Sequence, residues 1–190
     1  MTAAPRLQLP DGTLAIAIPS PNRARMLERI VGEILPTCDE LGIDVHVSDN
    51  GSTDDTPAVC RRLAAQSSRF HFRRHDPPIA IERNLMAALS LSTAVYTWEL
   101  GDDDCVLPAA LVEVARILQS RRPSALVVGT SEVPRDDAID LERPILPQVA
   151  HLAPSAYGPA REWRNAVDLF GEKFYNLPLR TVVYRTADEL

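Results

Sequence analysis

Leu14-Ala15-Ile16-Ala17-Ile18 is an unbroken apolar run closed by Pro19, the pattern of a strand buried on both faces of a parallel sheet. Leu27, Ile30, Val31, Ile34 and Leu35 then recur at helical spacing and predict a helix that Pro36 ends. Ile43 to Ser48 reads as a second strand. Thr53 or Asp54 is placed to cap a helix running past Pro57, an early position where proline is tolerated. Phe70-His71-Phe72 is a third, weaker strand, and Ile81, Leu85, Ala88 and Leu89 mark the face of the next helix. Val95 to Leu100 is a fourth strand. Pro108 opens a helix with Leu111, Val114, Ala115 and Leu118 on one face, and Ala125 to Val128 is a fifth strand. This alternation predicts an α/β fold, a mostly parallel sheet with helices on both faces. From Glu132 onward prolines at 134, 144, 147, 154 and 159 break the pattern. An irregular segment over 132–160, a short helix over 161–170 and a strand over 181–184 complete the reading.

The 190 residues suit one domain. A hydrophobic fraction of 45% and a charged fraction of 24% are those of a globular chain. A net charge of −6 argues against nucleic acid as a partner, since no bulk attraction for it exists. No apolar run reaches the length of a transmembrane segment, and the N-terminus lacks the basic-then-apolar layout of a secretory signal. A cytoplasmic protein is therefore expected, with a peripheral place at the inner face of the membrane as a further expectation. Cys38, Cys60 and Cys105 form no CxxC pair and read as free thiols.

Two acidic clusters follow predicted strands: Ser48-Asp49-Asn50-Gly51-Ser52-Thr53-Asp54-Asp55-Thr56 and Gly101-Asp102-Asp103-Asp104. Ligands of an open parallel sheet bind outside the carboxyl ends of its strands, so both clusters are expected on one rim. Adjacent carboxylates repel unless a cation joins them. Oxygen ligands of this kind suit magnesium or manganese, with water and phosphate filling the remaining positions. The competing reading is a solvated turn that caps the following helix. On the residues alone, Asp49 is either a turn former or a ligand acceptor. Arg73-Arg74 reads as a solvated strand end, with a diphosphate as the alternative partner.

Ala17-Ile18-Pro19-Ser20-Pro21-Asn22-Arg23 resembles the opening strand and loop of family 2 glycosyltransferases. Val47 to Thr56 is similar to that family's DGSTDDT-like signature, Glu82-Arg83-Asn84 to its ARN segment, and Leu100 to Pro108 to its DxD metal motif. The four motifs occur in the family's order over residues 14–120. The resemblance implies a GT-A fold, a nucleoside-diphosphate sugar donor of the UDP or dTDP type, a divalent cation (manganese or magnesium) and inverting transfer to an acceptor hydroxyl. The acceptor is expected to be a saccharide, a lipid-linked or a small molecule, as in cell-envelope polysaccharide assembly. Asp49 matches the carboxylate that binds the base, and Arg83 a basic residue near base and diphosphate. Pro19, Ser20 and Asn22 match the donor-binding loop. Asp103 and Asp104 match the metal end of the motif, and Asp102 the ribose contact. Two departures stand out: Pro21 replaces an aromatic residue that often stacks on the base, and Gly101 replaces the first Asp of the commoner DxDD form.

Residues 1–190 are read as a single domain, with 14–130 binding the donor and 131–190 forming a partial acceptor side. The resemblance places the catalytic base well downstream, often after a strand like Phe174 to Arg185, so the chain is expected to end before it. Glu162, Asp168 and Glu172 are the internal candidates. Asp168 is preferred because Trp163 and Phe170 are placed to flank an acceptor sugar. Two alternatives stand beside this reading: a non-catalytic or truncated nucleotide-sugar-binding domain, and a nucleotidyltransferase on a similar fold, which would also use metal and nucleotide. The second usually needs a glycine- and lysine-rich loop after the first strand, and this chain has one lysine, Lys173. Hydrolase and P-loop readings fail because neither G-x-S-x-G nor the Walker glycine pattern occurs.

Overall fold

The computed structural model describes residues 7–121, 125–127 and 182–185. The chain order is β1 (Leu14–Ser20), α1 (Ala24–Leu41), β2 (Asp44–Asp49), α2 (Thr56–Gln66), β3 (Phe70–Arg74), α3 (Ile81–Ser90), β4 (Tyr96–Glu99), α4 (Pro108–Arg121), β5 (Ala125–Val127) and β6 (Val182–Arg185). The strands form one six-stranded sheet in the order β3-β2-β1-β4-β6-β5. β1, β2, β3 and β4 pair in parallel, while β6 runs antiparallel to both β4 and β5. The expected α/β fold, parallel in its main part, is therefore present. The expected helix over 161–170, the irregular segment over 132–160 and Asp168 lie outside the described residues.

Topology decides which face each helix covers. The chain steps from β1 to β2 to β3 in one direction, then doubles back across β1 to lay down β4. Right-handed crossovers put the helices of the outward steps on one face and the helix of the return step on the other. Accordingly α1 packs with α2 and α4, whereas α3 lies against β1 and β2. Buried on both sides, Leu14 to Ile18 are all at 0% exposure. The apolar stripe of α1 (Leu27, Ile30, Val31, Ile34, Leu35, Cys38 and Leu41) joins Val45 and Val47 of β2 and Val59, Cys60 and Leu63 of α2 in one core.

Two helices depart from their sequence patterns. α1 does not stop at Pro36 but continues to Leu41. Pro36 and Gly32, whose carbonyl loses its partner, both lie on the exposed side, where water can satisfy that carbonyl. The buried residues Leu35, Cys38 and Leu41 on the other side hold the last turn in place. Gly42 ends the helix in the left-handed conformation with φ 80°, and its amide donates to the Cys38 carbonyl. In α3 the apolar face was expected to include Ile81. Instead Ile81 is 78% exposed, and Asn84 and Ala88 are the buried residues.

The loops after β1 and β2 are hydrogen-bonded into one unit. Asn22, in the left-handed region at φ 53°, accepts at Oδ1 from the Thr53 amide (2.8 Å) and hydroxyl (3.2 Å). Its own amide donates to Ser52 Oγ at 2.8 Å, and the Arg23 amide donates to Thr56 Oγ1 at 3.1 Å. Asp54 caps two helices at once. Its Oδ1 accepts from the Thr56 amide (3.0 Å) and hydroxyl (2.6 Å) at the start of α2, and its Oδ2 accepts from the Ala24 amide (3.1 Å) at the start of α1. Asp55 occupies the formal cap position of α2, but Asp54 makes the capping bonds. Desolvation pushes the Asp54 carboxyl up, and the hydrogen bonds from Thr56 and Ala24 outweigh it and hold it below the usual carboxylate range.

Two outcomes follow. Pro36→Ala restores one helical bond at a solvent-facing position. An interior helix proline costs about 3 kcal/mol and its restriction of the unfolded chain returns at most about 1 kcal/mol, so denaturant unfolding should show a gain of about 2 kcal/mol. No gain would place the end of the helix at Pro36. Asp54→Ala should cost about 1 kcal/mol at neutral pH. A depressed folded-state value means that this stability is present above the ordinary carboxylate range and is lost as pH falls through the folded value. The gap between wild type and variant should therefore narrow below about pH 4 in thermal melts.

Candidate functional site

The parallel register lines up the last residues of three strands. Ser20 of β1 is level with Asp49 of β2, and Asp49 with Arg74 of β3. On the other side of β1 comes the acidic turn after β4, where Asp102 Oδ2 accepts from Ser20 Oγ at 2.7 Å. This bond spans the point where the chain reverses direction across the sheet, the crevice in which ligands of open α/β sheets bind. Asp102, Ser20, Asp49 and Arg74 thus form a polar row along the carboxyl rim.

Asp49 is the most constrained member. Its side chain is at 0% exposure. Oδ1 accepts from the Ser52 amide at 3.1 Å, while Oδ2 has no hydrogen-bond partner. The Arg74 guanidinium approaches Oδ2 through Nε at 3.6 Å, and its Nη2 donates to the Ser52 carbonyl at 3.1 Å. Arg73-Arg74 is therefore not a purely solvated strand end.

Ser48 and Asp49 are consecutive in a strand, so they point to opposite faces. Ser48 Oγ donates to Asn84 Oδ1 at 2.7 Å and contacts His75 Nε2 at 3.1 Å, and Asn84 Nδ2 donates to the Ser48 carbonyl at 3.2 Å. Because the hydroxyl has one proton and gives it to Asn84, the His75 ring donates to it. Asn50 pairs with the backbone of Ile79 in both directions, at 2.8 and 2.9 Å. Gly51 has φ 66°, and a side chain there would meet Pro78 at 3.0 Å and the His75 carbonyl at 3.1 Å. The turn around Asp49 is thus clamped by the loop after β3 and by α3. Sequence reading missed Ser48, His75, Asn50 and Asn84 in this role. The period of two along β2 was the signal, since it requires Ser48 to find a partner on the α3 face.

The acidic turn has its own frame. The Gly101 amide donates to Asp104 Oδ2 at 2.7 Å, and Arg29 of α1 donates to the carbonyls of Asp103 and Asp104 at 3.4 and 3.3 Å. Asp102 is buried and Asp103 exposed. Desolvation raises the Asp102 carboxyl above its ordinary value. The Ser20 hydrogen bond and the charge of Arg23 draw it back only in part, and the Asp103 charge adds to the rise. A side chain at position 101 would come within 3.0 Å of Asp103 Oδ1 and 3.2 Å of Asp104 Oδ2. Glycine at this departure from the DxDD form therefore keeps open a space that two carboxylates border.

Among the described residues no group of three or more His, Cys, Asp and Glu is placed to hold a metal. The donor set nonetheless fits a magnesium- or manganese-type ion. Such ions take one or two protein carboxylates and complete their shell with water and phosphate oxygens, and Asp103 and Asp104 offer two at the rim. Of the other expected residues, Pro19 is half-buried and level with Ser48. The Asn22 carboxamide is engaged by the second loop. Arg83 is exposed on the first turn of α3, next to the Asn84 that anchors this helix. No helix among the described residues is long and apolar enough to cross a membrane.

Comparison with known proteins agrees with this geometry. The chain is 28% identical over 113 residues to abequosyltransferase RfbV of Salmonella typhimurium, a match covering 57% of this chain and 33% of that protein. It thus spans about a third of the length of this relative. Among solved structures it resembles the mannosyltransferase PcManGT from Pyrobaculum calidifontis, in complex with GDP-Man and Mn2+, with TM-score 0.53 and 20% identity over 67% of this chain and 39% of that one. It also resembles residues 1–349 of S. aureus TarS in complex with UDP-GlcNAc, with TM-score 0.55 and 14% identity over 66% and 36%. The sequence matches the family described as glycosyl transferase family 2 over residues 15–167. With the motif-bearing loops on one rim of a parallel sheet, the chain belongs to glycosyl transferase family 2 and has the GT-A fold.

Proposed function

We propose that this chain binds a nucleoside-diphosphate sugar of the uridine or thymidine type along the row from Asp102 to Arg74, and that its sugar passes to an acceptor hydroxyl with inversion. The observation that carries the reading is Asp49 Oδ2, a carboxylate oxygen that is buried and lacks a hydrogen-bond donor. Leaving such an atom unsatisfied costs more than the roughly 1–3 kcal/mol of a neutral group, and the ring N–H of a uracil or thymine would supply the donor. GDP-Man in one structural neighbour and UDP-GlcNAc in another support a nucleotide-sugar donor.

In this reading each residue has a distinct task. Asp49 accepts from the base. Asp102, fixed by Ser20, faces the ribose, with Pro19 and Asn22 shaping the loop beside it. Arg83 offers its charge to the diphosphate. Asp103 and Asp104 would hold a divalent cation, manganese or magnesium, which when bound stabilises the charge that develops on the departing diphosphate. Residues 14–130 hold the donor, and 131–190 contribute to the acceptor side. Asp168 is the proposed base that takes the acceptor proton, a role supported by sequence alone. The acceptor class (saccharide, lipid-linked or small molecule) and a place at the inner face of the membrane belong to the same proposal.

Calorimetric titration with UDP, with and without manganese, tests the donor half. Asp103→Asn should abolish the manganese-dependent part of binding and leave the melting temperature within a few degrees of wild type, since Asp103 is exposed. Equal manganese-dependent affinity in wild type and variant would refute the cation assignment. For the base, Asp168→Asn should lower transfer by about 10²–10⁴-fold with UDP affinity unchanged. Unchanged turnover would remove Asp168 from the mechanism.

A further inference from the structure

We propose that Arg74 is the second half of the base-recognition site and selects bases that present a ring N–H beside a carbonyl oxygen, as uracil, thymine and guanine do, over cytosine and adenine. The inference rests on the reading that Asp49 meets the base. A carboxylate only accepts hydrogen bonds and a guanidinium only donates them. Here the two sit at the last positions of neighbouring parallel strands, register partners with Arg74 Nε 3.6 Å from Asp49 Oδ2. The Ser52 carbonyl takes one N–H of Arg74 Nη2 at 3.1 Å and orients the guanidinium plane, leaving further N–H groups for a ligand.

The pair is asymmetric in freedom. The Arg74 side chain is 40% exposed, and that of Asp49 is at 0%. A base reaching Oδ2 therefore displaces Arg74 toward solvent rather than moving Asp49. The guanidinium, still tethered to Ser52, then lies beside the atom next to the ring N–H. If that atom is a carbonyl oxygen, both contacts are favourable. Cytosine reverses both: its ring nitrogen turns a lone pair toward the carboxylate, and its amino group meets the guanidinium. Two opposed contacts reject a base more strongly than one missing contact. An Arg74 that served only to offset the Asp49 charge would not distinguish the two edges.

The experiment compares UDP with CDP, which differ only at this edge, titrated with manganese into the 190-residue chain as wild type, Arg74→Gln, Arg74→Lys and Asp49→Asn. Wild type should favour UDP. Arg74→Gln should narrow the UDP/CDP ratio by about tenfold or more, chiefly by weakening UDP. Arg74→Lys, which keeps the charge near Asp49 but not the planar fork, should narrow it too. Cooperative melting of Arg74→Lys separates lost selectivity from a folding defect. If both Arg74 variants keep the wild-type ratio, or weaken UDP and CDP by one factor, while Asp49→Asn collapses it, Arg74 is not a base reader and the role of Asp49 stands. If Asp49→Asn also keeps the ratio, or wild type binds UDP and CDP equally, base reading at this rim fails and the inference fails with it.

Discussion

Asp49 carries a carboxylate at 0% exposure on the last position of a parallel strand, one oxygen bound to the Ser52 amide and the other without a hydrogen-bond donor. A buried charge in that state is costly and persists only where its surroundings are fixed, because a rearranging site would either hydrate it or neutralise it. The surrounding structure supplies that fixity from three directions. Arg74 stands beside it on the next strand, Ser48 behind it is tied to α3 through Asn84, and the turn after it is held by Asn50, Gly51 and the loop from His75 to Ile79.

The polar residues of the second motif divide accordingly. Ser52, Thr53, Asp54 and Thr56 are occupied in binding the first loop and capping α1 and α2. They preorganise the rim, and Asp49 is the residue they leave with unmet hydrogen-bonding capacity. The acidic turn follows the same logic. Asp104 folds back on the Gly101 amide, Asp102 is committed to Ser20, and Asp103 remains exposed. Such preorganisation suits the proposed transfer, because groups already in place need no reorganisation when charge develops.

Much of this was legible in the sequence. The apolar run Leu14–Ile18 and the α1 stripe are set by burial, which leaves a continuous run or a helical period that can be read directly, although β1 continues past Pro19 to Ser20. The placement of both acidic clusters on one rim followed from the parallel sheet alone. What escaped reading was non-local. Local rules stop a helix at Pro36, but Cys38 and Leu41 are held by packing that those rules do not contain. Ile81 looked like a core position and Asn84 was read only as part of the ARN-like segment, yet Asn84 is buried because Ser48, 36 residues earlier, is the partner of both of its side-chain hydrogen bonds. The Asn22–Thr53 and Ser20–Asp102 bonds join motifs that read as independent in the chain. The pairing of Asp49 with Arg74 depends on strand register, which neither residue announces.

A crystal structure of this chain with UDP and manganese tests the central claim most directly, that the unpartnered oxygen of Asp49 exists to meet a base. The account predicts the uracil ring N–H within about 2.7–3.2 Å of an Asp49 carboxylate oxygen, with the diphosphate over the turn that carries Asp103 and Asp104. A nucleotide bound elsewhere, or bound on this rim with Asp49 Oδ2 still lacking a donor from the base, would contradict it.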